Sequence, residues 1–410
     1  MLSDKRGTVT MPKSFFELRG SSEEIQRAEG FAHTLAEIWQ QPEVWVDSAS
    51  KVVLFADQWS ARIQRAKSIV LTGSGSSFFA GKCLELALQE RLNVPVQAIE
   101  SGELLQLRPG ALPPGRPLLV VSFARSGDSP ESCGLVSHLL ATEPDIEHIV
   151  ITCNPQGRLV RTWGTGGIQP DPRVTVLTLD ERTCDRSLVM TSSFTSLAVA
   201  GAGLGYRANE WEEYESAVNT LARSVADLLA NSLDMVEAFP IERIDRMIAV
   251  GSGALQGAAL EVSLKMLEMT DGGVLTRAET CLGLRHGPMC ALHERTLTFL
   301  PLSNDHYRRA FQVDLLNEID RKRLGGWKAI IGAQIPSQSI GPSDLALEIP
   351  GLCGLSDEWI AIAAVVFGQL IAFLRCRAEG LRPDAPPMDN SITRVVGEFP
   401  LHGIASGVLG

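Results

Sequence analysis

Three charged residues open the question of chemistry. Glu261, Lys265 and Glu268 stand at i, i+4 and i+7 in a stretch, about 255–269, that predicts a helix, so they share one face. Such spacing is ordinarily a solvated salt-bridge stripe, and a glutamate four residues before a lysine is the favourable order. On the residues alone that is the favoured reading, with an acid and base pair as the other one. Downstream, His286 is followed by Gly287-Pro288, which restricts the backbone just after it. A lone histidine is usually structural, but an imidazole titrating near neutrality can also shuttle a proton. Glu279, in the same loop, is a second acidic candidate.

Two serine-rich turns could hold an anion. Gly73-Ser74-Gly75-Ser76-Ser77 follows the apolar run Ser68-Ile69-Val70-Leu71 and opens a helix, so backbone N–H groups and the helix dipole face one point. Any tight strand-to-helix connection can need such glycines. The Gly-Lys-Ser/Thr ending of a nucleotide loop is missing, as is the third glycine of a dinucleotide fingerprint. A later strand ends in Ser122-Phe-Ala-Arg-Ser-Gly-Asp-Ser-Pro-Glu-Ser132. Ser129 before Pro130 reads as a helix start on structural grounds alone. Arg125 and Ser126 add a guanidinium and a hydroxyl at the same strand end. Open α/β sheets bind ligands at such adjacent strand ends. The cluster Thr191-Ser192-Ser193 predicts one more helix start, which as a cap needs no ligand.

The elements that must position these residues alternate. Apolar runs at 68–71, 117–121, 149–151 and 174–177 are separated by helix-length segments, the pattern of βαβ units around a parallel sheet. After a polar helical stretch at 210–238 the pattern restarts at 247–250 and continues through 296–300 and 328–331. Ala249-Val250-Gly251-Ser252-Gly253 matches Leu71-Thr72-Gly73-Ser74-Gly75, which points to duplication of one α/β domain. The predicted fold is therefore α/β with two tandem domains, each a parallel sheet flanked by helices in an αβα sandwich. The boundary is expected inside 210–238.

Composition narrows the class. The chain of 410 residues is long enough for two cores, and its 45% hydrophobic and 21% charged content is that of a globular protein. A net charge of −11 favours solubility and argues against nucleic acid as partner. Eight cysteines without metal-ligand spacing read as free thiols in a reducing, cytoplasmic setting. Residues 1–30 read as a polar arm rather than a signal peptide. The apolar run 359–374 falls short of the roughly 20 residues of a membrane span. It is expected to be a buried core helix opened by Ser356, Asp357 and Glu358.

Together, the two serine turns and the internal duplication resemble the double-SIS-domain family of sugar-phosphate isomerases and deaminases. The likeness is nearest to the AgaS-type branch, on Ser122–Ser132 as quoted, Ile151-Thr-Cys-Asn154, Met190-Thr-Ser-Ser-Phe-Thr195, Gly283-Leu-Arg-His-Gly-Pro288, Leu302-Ser-Asn-Asp305, Gly380-Leu-Arg-Pro-Asp384 and Thr393-Arg-Val-Val396. The resemblance implies that Ser77, Ser126 and Ser129, with Arg125, hold the sugar phosphate, and that Glu268 moves a proton between C1 and C2. It implies that His286 assists ring opening, often in a neighbouring subunit's site, and that Ser193 borders the sugar pocket. Ser76, Lys265, Glu279 and Arg394 complete the expected substrate contacts. The lysine that glucosamine-6-phosphate synthase uses near its C-terminus has no counterpart, and Arg394 cannot form the same imine.

The implied activity is conversion of a hexosamine 6-phosphate, galactosamine 6-phosphate first, to a ketose 6-phosphate and ammonia through an enolamine. Ketose/aldose isomerisation of a neutral hexose 6-phosphate uses the same residues, and a non-catalytic sugar-phosphate regulator is the reading from another class. No cofactor and no metal are called for. The expected partners are a phosphorylated hexose or hexosamine and further copies of the chain, in a homodimer or homotetramer with shared sites, and neither nucleic acid nor membrane. The expected division is an N-terminal arm and helix over 1–44, a first SIS domain over 45–215, a second over 216–380, and a tail over 381–410 that completes the sugar site.

Overall fold

The computed structural model describes residues 14–402 except 232, 388 and 390. Its first sheet is built from β1 (Ser68–Gly73), β2 (Val96–Glu100), β3 (Leu118–Ala124), β4 (Ile146–Thr152) and β5 (Val174–Thr178), in the order β2-β1-β3-β4-β5. The second contains β6 (Arg246–Val250), β7 (Leu275–Glu279), β8 (Thr296–Pro301), β9 (Trp327–Gly332) and β10 (Leu345–Glu348), in the order β7-β6-β8-β9-β10. All pairings are parallel. The two orders coincide when five is subtracted from each strand of the second sheet. In both, the first strand of the domain lies beside the third, so the glycine turn and the next strand end are neighbours.

Central strands are apolar throughout because helices cover both their faces; β1, β3 and β8 are buried at every residue. In each domain the helix after the first strand, Ser76–Leu92 or Ala254–Met269, packs against its counterpart across the domain boundary. Gly257 permits this approach, since a Cβ there would lie 2.5 Å from the Cys83 backbone nitrogen. Helix Asp357–Ala378 packs on Ala254–Met269, where Gly368 meets Val262. The apolar run expected to be a core helix is thus part of a 22-residue helix whose hydrophobic window is buried inside the chain. Each fully buried Leu, Ile or Phe on it contributes about 1.5–3 kcal/mol. Ser356 is its N-cap by backbone geometry, but its hydroxyl donates to Glu358 Oε1 at 2.6 Å.

The stretch read as a polar arm is different in part. Residues 1–13 lie outside the described residues, while Phe15–Gly20 and Glu23–Glu29 are helices. Ser14 and Glu17 form a reciprocal capping box, and Phe15 and Leu18 enter the core, Phe15 stacking on Phe373. The next helix, Ala32–Trp39, has no capping side chain of its own at Phe31. Its cap comes from the far end of the chain. Asp384 accepts from Thr34 N at 2.7 Å, Thr34 Oγ1 at 2.7 Å and His33 N at 3.1 Å.

Candidate active site

The first turn is shaped by its glycines. Gly75 has φ 54°, a left-handed value that favours glycine, and a Cβ on Gly73 would stand 2.7 Å from the Ser77 carbonyl carbon. The helix therefore starts at Ser76 directly above the strand, and Ser76 and Ser77 are both buried. Ser77 Oγ lies 3.9 Å from Met190 Sδ and has no stronger partner among the described residues. In the second turn, Ser126 Oγ accepts from Asp128 N at 3.2 Å, and the Ser126 carbonyl accepts from Asn154 Nδ2 at 2.9 Å. Gly127, at φ 65°, turns the chain toward the helix Pro130–Thr142. Ser129 is its N-cap by backbone geometry, yet its hydroxyl donates to Ser132 Oγ at 2.7 Å instead of capping.

Lys265 brings the second half of the chain to the first turn. Its Nζ donates to Ser76 Oγ at 3.2 Å, donates at short range to Glu268 Oε2, and lies 3.5 Å from Glu261 Oε1. The solvated stripe that the spacing suggested is therefore absent: Lys265 and Glu261 are fully buried against the helix Ser76–Leu92, and Glu268 alone keeps exposure, at 21% of its side chain. The carboxylate that a substrate can reach is Glu268. Burial pushes the Glu261 carboxyl up to about 7, with Lys265 opposing and Glu268 reinforcing the rise. For Lys265 burial acts downward, but the two adjacent glutamates outweigh it and the ammonium is held above its ordinary range.

Arg125 links this cluster to the second turn without facing it as a free cation. It is buried, and its guanidinium donates to the carbonyls of Leu188 at 2.9 Å, Ser187 at 3.4 Å and Arg394. Burial, then the nearby Arg394, lowers its proton affinity, while Asp185, Cys184 and Glu268 oppose. Arg394 in turn donates through Nε to the Asp185 carbonyl at 2.7 Å and through Nη2 to Cys184 Sγ at 3.3 Å. The tail thus crosses the strand ends, and Glu398 ties it to Arg158 at 2.7 Å.

Ser193 has a different setting. It is fully buried, and its N–H and hydroxyl both donate to Asp185 Oδ2, at 2.9 and 2.5 Å. Thr191 N and Ser192 Oγ donate to the same carboxylate, so Asp185 caps the helix Ser192–Ala202. This Asp185 hub was not read from sequence, although three consecutive hydroxyl residues at a helix start needed an acceptor. Beside it Glu37 accepts from Arg186 N at 2.5 Å, from Ser187 N at 3.2 Å and from Ser187 Oγ. Burial, reinforced by Asp185, pushes the Glu37 carboxyl up to about 8. A cavity of about 530 Å³ lined by His33, Glu37, Asn154, Cys184 and Arg186 adjoins this hub and contains neither Glu268 nor the turn serines.

Glu279, at the end of β7, is paired with Arg277, and no hydrogen bond among the described residues joins it to Glu268. His286 closes the short 3-10 turn Gly283–His286, is exposed, and has no hydrogen-bond partner among the described residues. The structure brings together Ser76, Ser77, Lys265 and Glu268, with Arg125 nearby, and leaves Glu279 and His286 outside that group.

A duplicated parallel sheet with serine turns in one half and a lysine-glutamate helix of the other half against them defines a tandem SIS-domain protein. The SIS domain family matches residues 62–163 directly. An AgaS protein of Streptomyces coelicolor, provisionally assigned as a D-galactosamine-6-phosphate deaminase, is 36% identical over 91% of this chain and 96% of its own length. The D-galactosamine-6-phosphate deaminase AgaS of Escherichia coli O157:H7 is 29% identical over 90% of this chain and 95% of its own. A Clostridium novyi crystal structure, provisionally assigned as a tagatose-6-phosphate ketose/aldose isomerase, superposes with a TM-score of 0.85 at 25% identity, covering 96% of this chain and all of that one. The chain belongs to the AgaS family of SIS-domain proteins.

Proposed function

We propose that the protein deaminates a hexosamine 6-phosphate, galactosamine 6-phosphate first, to the ketose 6-phosphate and ammonia. The observation that carries the reading is the Lys265 bridge, which ties a partly exposed carboxylate, Glu268, to the buried serine turn at Ser76 and Ser77. A phosphate on the serine turns and a base a few atoms from them suit a phosphorylated sugar held at one end and deprotonated at the other.

In this reading the turn hydroxyls of Ser77, Ser126 and Ser129 and the N-termini of their helices bind the 6-phosphate. Arg125 shapes the strand ends through its carbonyl contacts, and Ser193 supports the wall from behind through Asp185. Glu268 removes the C2 proton of the open-chain aldehyde, and the electron pair forms the C1–C2 double bond of an enolamine. Return of the proton to C1 gives the C2 imine. Water adds there and ammonia leaves, so the step is hydrolytic and its products are the ketose 6-phosphate and ammonia.

His286, exposed in its own chain, is assigned to ring opening in a neighbouring copy, which makes the protein a homo-oligomer with shared sites. The two halves are taken as domains over 45–215 and 216–380, after an N-terminal segment over 1–44, with the tail over 381–410 covering the sugar. A cytoplasmic location suits eight free cysteines. The Clostridium novyi likeness favours a second reading, ketose/aldose isomerisation of a neutral sugar phosphate.

The test is a panel of galactosamine, glucosamine and neutral hexose 6-phosphates assayed for ammonia and for ketose. Ammonia with ketose from an amino sugar supports deamination. Ketose from neutral sugars only would replace it with isomerisation.

A further inference from the structure

Glu261 has no place in the steps above, yet its surroundings are unusual. Its side chain has no exposed surface, and neither oxygen accepts a well-formed hydrogen bond among the described residues. Its charged neighbour at close range is the Lys265 ammonium, 3.5 Å away, which has a much shorter bond to Glu268, and the Ser76 hydroxyl lies on the same side. A buried carboxylate held only by a long ion pair and a hydroxyl at the margin of bonding costs several kcal/mol, and an apolar side chain of similar size is commonly as stable or more so. Stability therefore gives no reason for an acid at this position.

The groups that face it are few. On its own helix they are Lys265 and Glu268; from the helix Ser76–Leu92 they are Ser76 and Cys83, whose thiol is pushed up by burial and then by Glu261. Lys82, on the same helix, is paired with Glu85, and from the end of β3 Arg125 acts on Lys265. The helix Asp357–Ala378 meets this helix through Gly368 against Val262. On β7, Arg277 and Glu279 are paired with each other. One ammonium thus serves two carboxylates, one buried and one at the surface of the site.

We infer that Glu261 is a positioning residue that divides the Lys265 charge, so that the ammonium orients Glu268 without holding it as a fixed counter-ion. A lysine bound to Glu268 alone would favour its ionised form strongly, and a carboxylate so stabilised is a poor acceptor of a proton from carbon. The second glutamate draws part of that field away. The same ammonium still reaches Ser76, so the base stays registered to the phosphate turn.

This inference rests on the proposed proton transfer, and its test separates the two. In Glu261→Gln, kcat for ammonia or ketose formation should fall up to about tenfold above pH 7, where the wild-type carboxyl is ionised, with KM little changed, and should match the wild type well below pH 7, where that carboxyl is protonated. Thermal stability should not fall. Glu261→Met removes the carboxylate with an unbranched apolar chain and should show the same loss above pH 7. Wild-type turnover at every pH in folded variants would overturn the inference and leave the reaction standing. Failure of both variants to fold would make Glu261 structural and overturn it too. No wild-type turnover on any sugar phosphate in the panel would overturn both.

Discussion

Lys265 of the second half donates to Ser76 of the first at 3.2 Å, between two packed helices that follow equivalent strands. That bond makes the site a joint product of both domains. It adds a polar tie to the packing of Gly257 against Cys83 that holds the same two helices together.

Removing the ammonium should therefore be costly. Lys265→Met leaves Glu261 and Glu268 as adjacent carboxylates without a counter-ion, and breaking a buried pair in this way costs about 3–5 kcal/mol. Urea unfolding should show a drop of that size. Ser76→Ala, which loses one hydrogen bond from the charged group, should cost about 1.5–3 kcal/mol.

His148 on β4 predicts an acid limit to stability. It has no exposed surface, and neither ring nitrogen has a hydrogen-bond partner among the described residues. Burial, then Arg173, pushes it down to about 3. The unfolded chain takes up this proton near pH 6.5 and the folded chain only near 3, so stability falls as pH drops through that window. His148→Leu should flatten the acid side of a melting-temperature profile and be neutral or stabilising at pH 7.

Glu37 predicts the opposite slope at higher pH. Its carboxyl is raised from the usual carboxylate range to about 8, so the folded chain keeps a proton that the unfolded chain has released. The stability this gives is complete below about pH 4.5 and is lost as pH rises toward 8. Glu37→Gln should remove that decline in melts between pH 5 and 8.

Asp384 fastens the tail to the N-terminal helices, since it caps Ala32–Trp39 and its carbonyl accepts from Leu188 N at 2.9 Å. Asp384→Ala should cost about 1–2 kcal/mol, the worth of a strong helix cap, and should speed proteolytic cleavage after residue 384.

Much of this fold is legible in the residues. Interior strands such as β3 and β8 read as continuous apolar runs because both faces are covered, and the glycine turns repeat because each must bring a helix directly over a strand. Of the edge strands, β5 was read at 174–177, while β2, β7 and β10 were not. β2 and β7 are partly exposed, and sequences such as Val96-Gln97-Ala98-Ile99-Glu100 carry no continuous apolar signal. The helix of Glu261, Lys265 and Glu268 was legible, but its burial was not, because spacing along one helix says nothing of what packs against it. Asp185 and Glu37 were unreadable for the same reason, as their partners are brought by the tertiary fold. Arg125 was read as a phosphate ligand from its strand end, whereas its guanidinium is engaged by backbone carbonyls.

The most direct measurement is single-turnover ammonia release by Glu268→Gln from whichever hexosamine 6-phosphate the wild type converts. The amide keeps the size of the side chain but cannot accept the C2 proton, so the rate should fall by about 10²–10⁴-fold while substrate binding persists. A folded Glu268→Gln protein that releases ammonia at the wild-type rate would contradict the account.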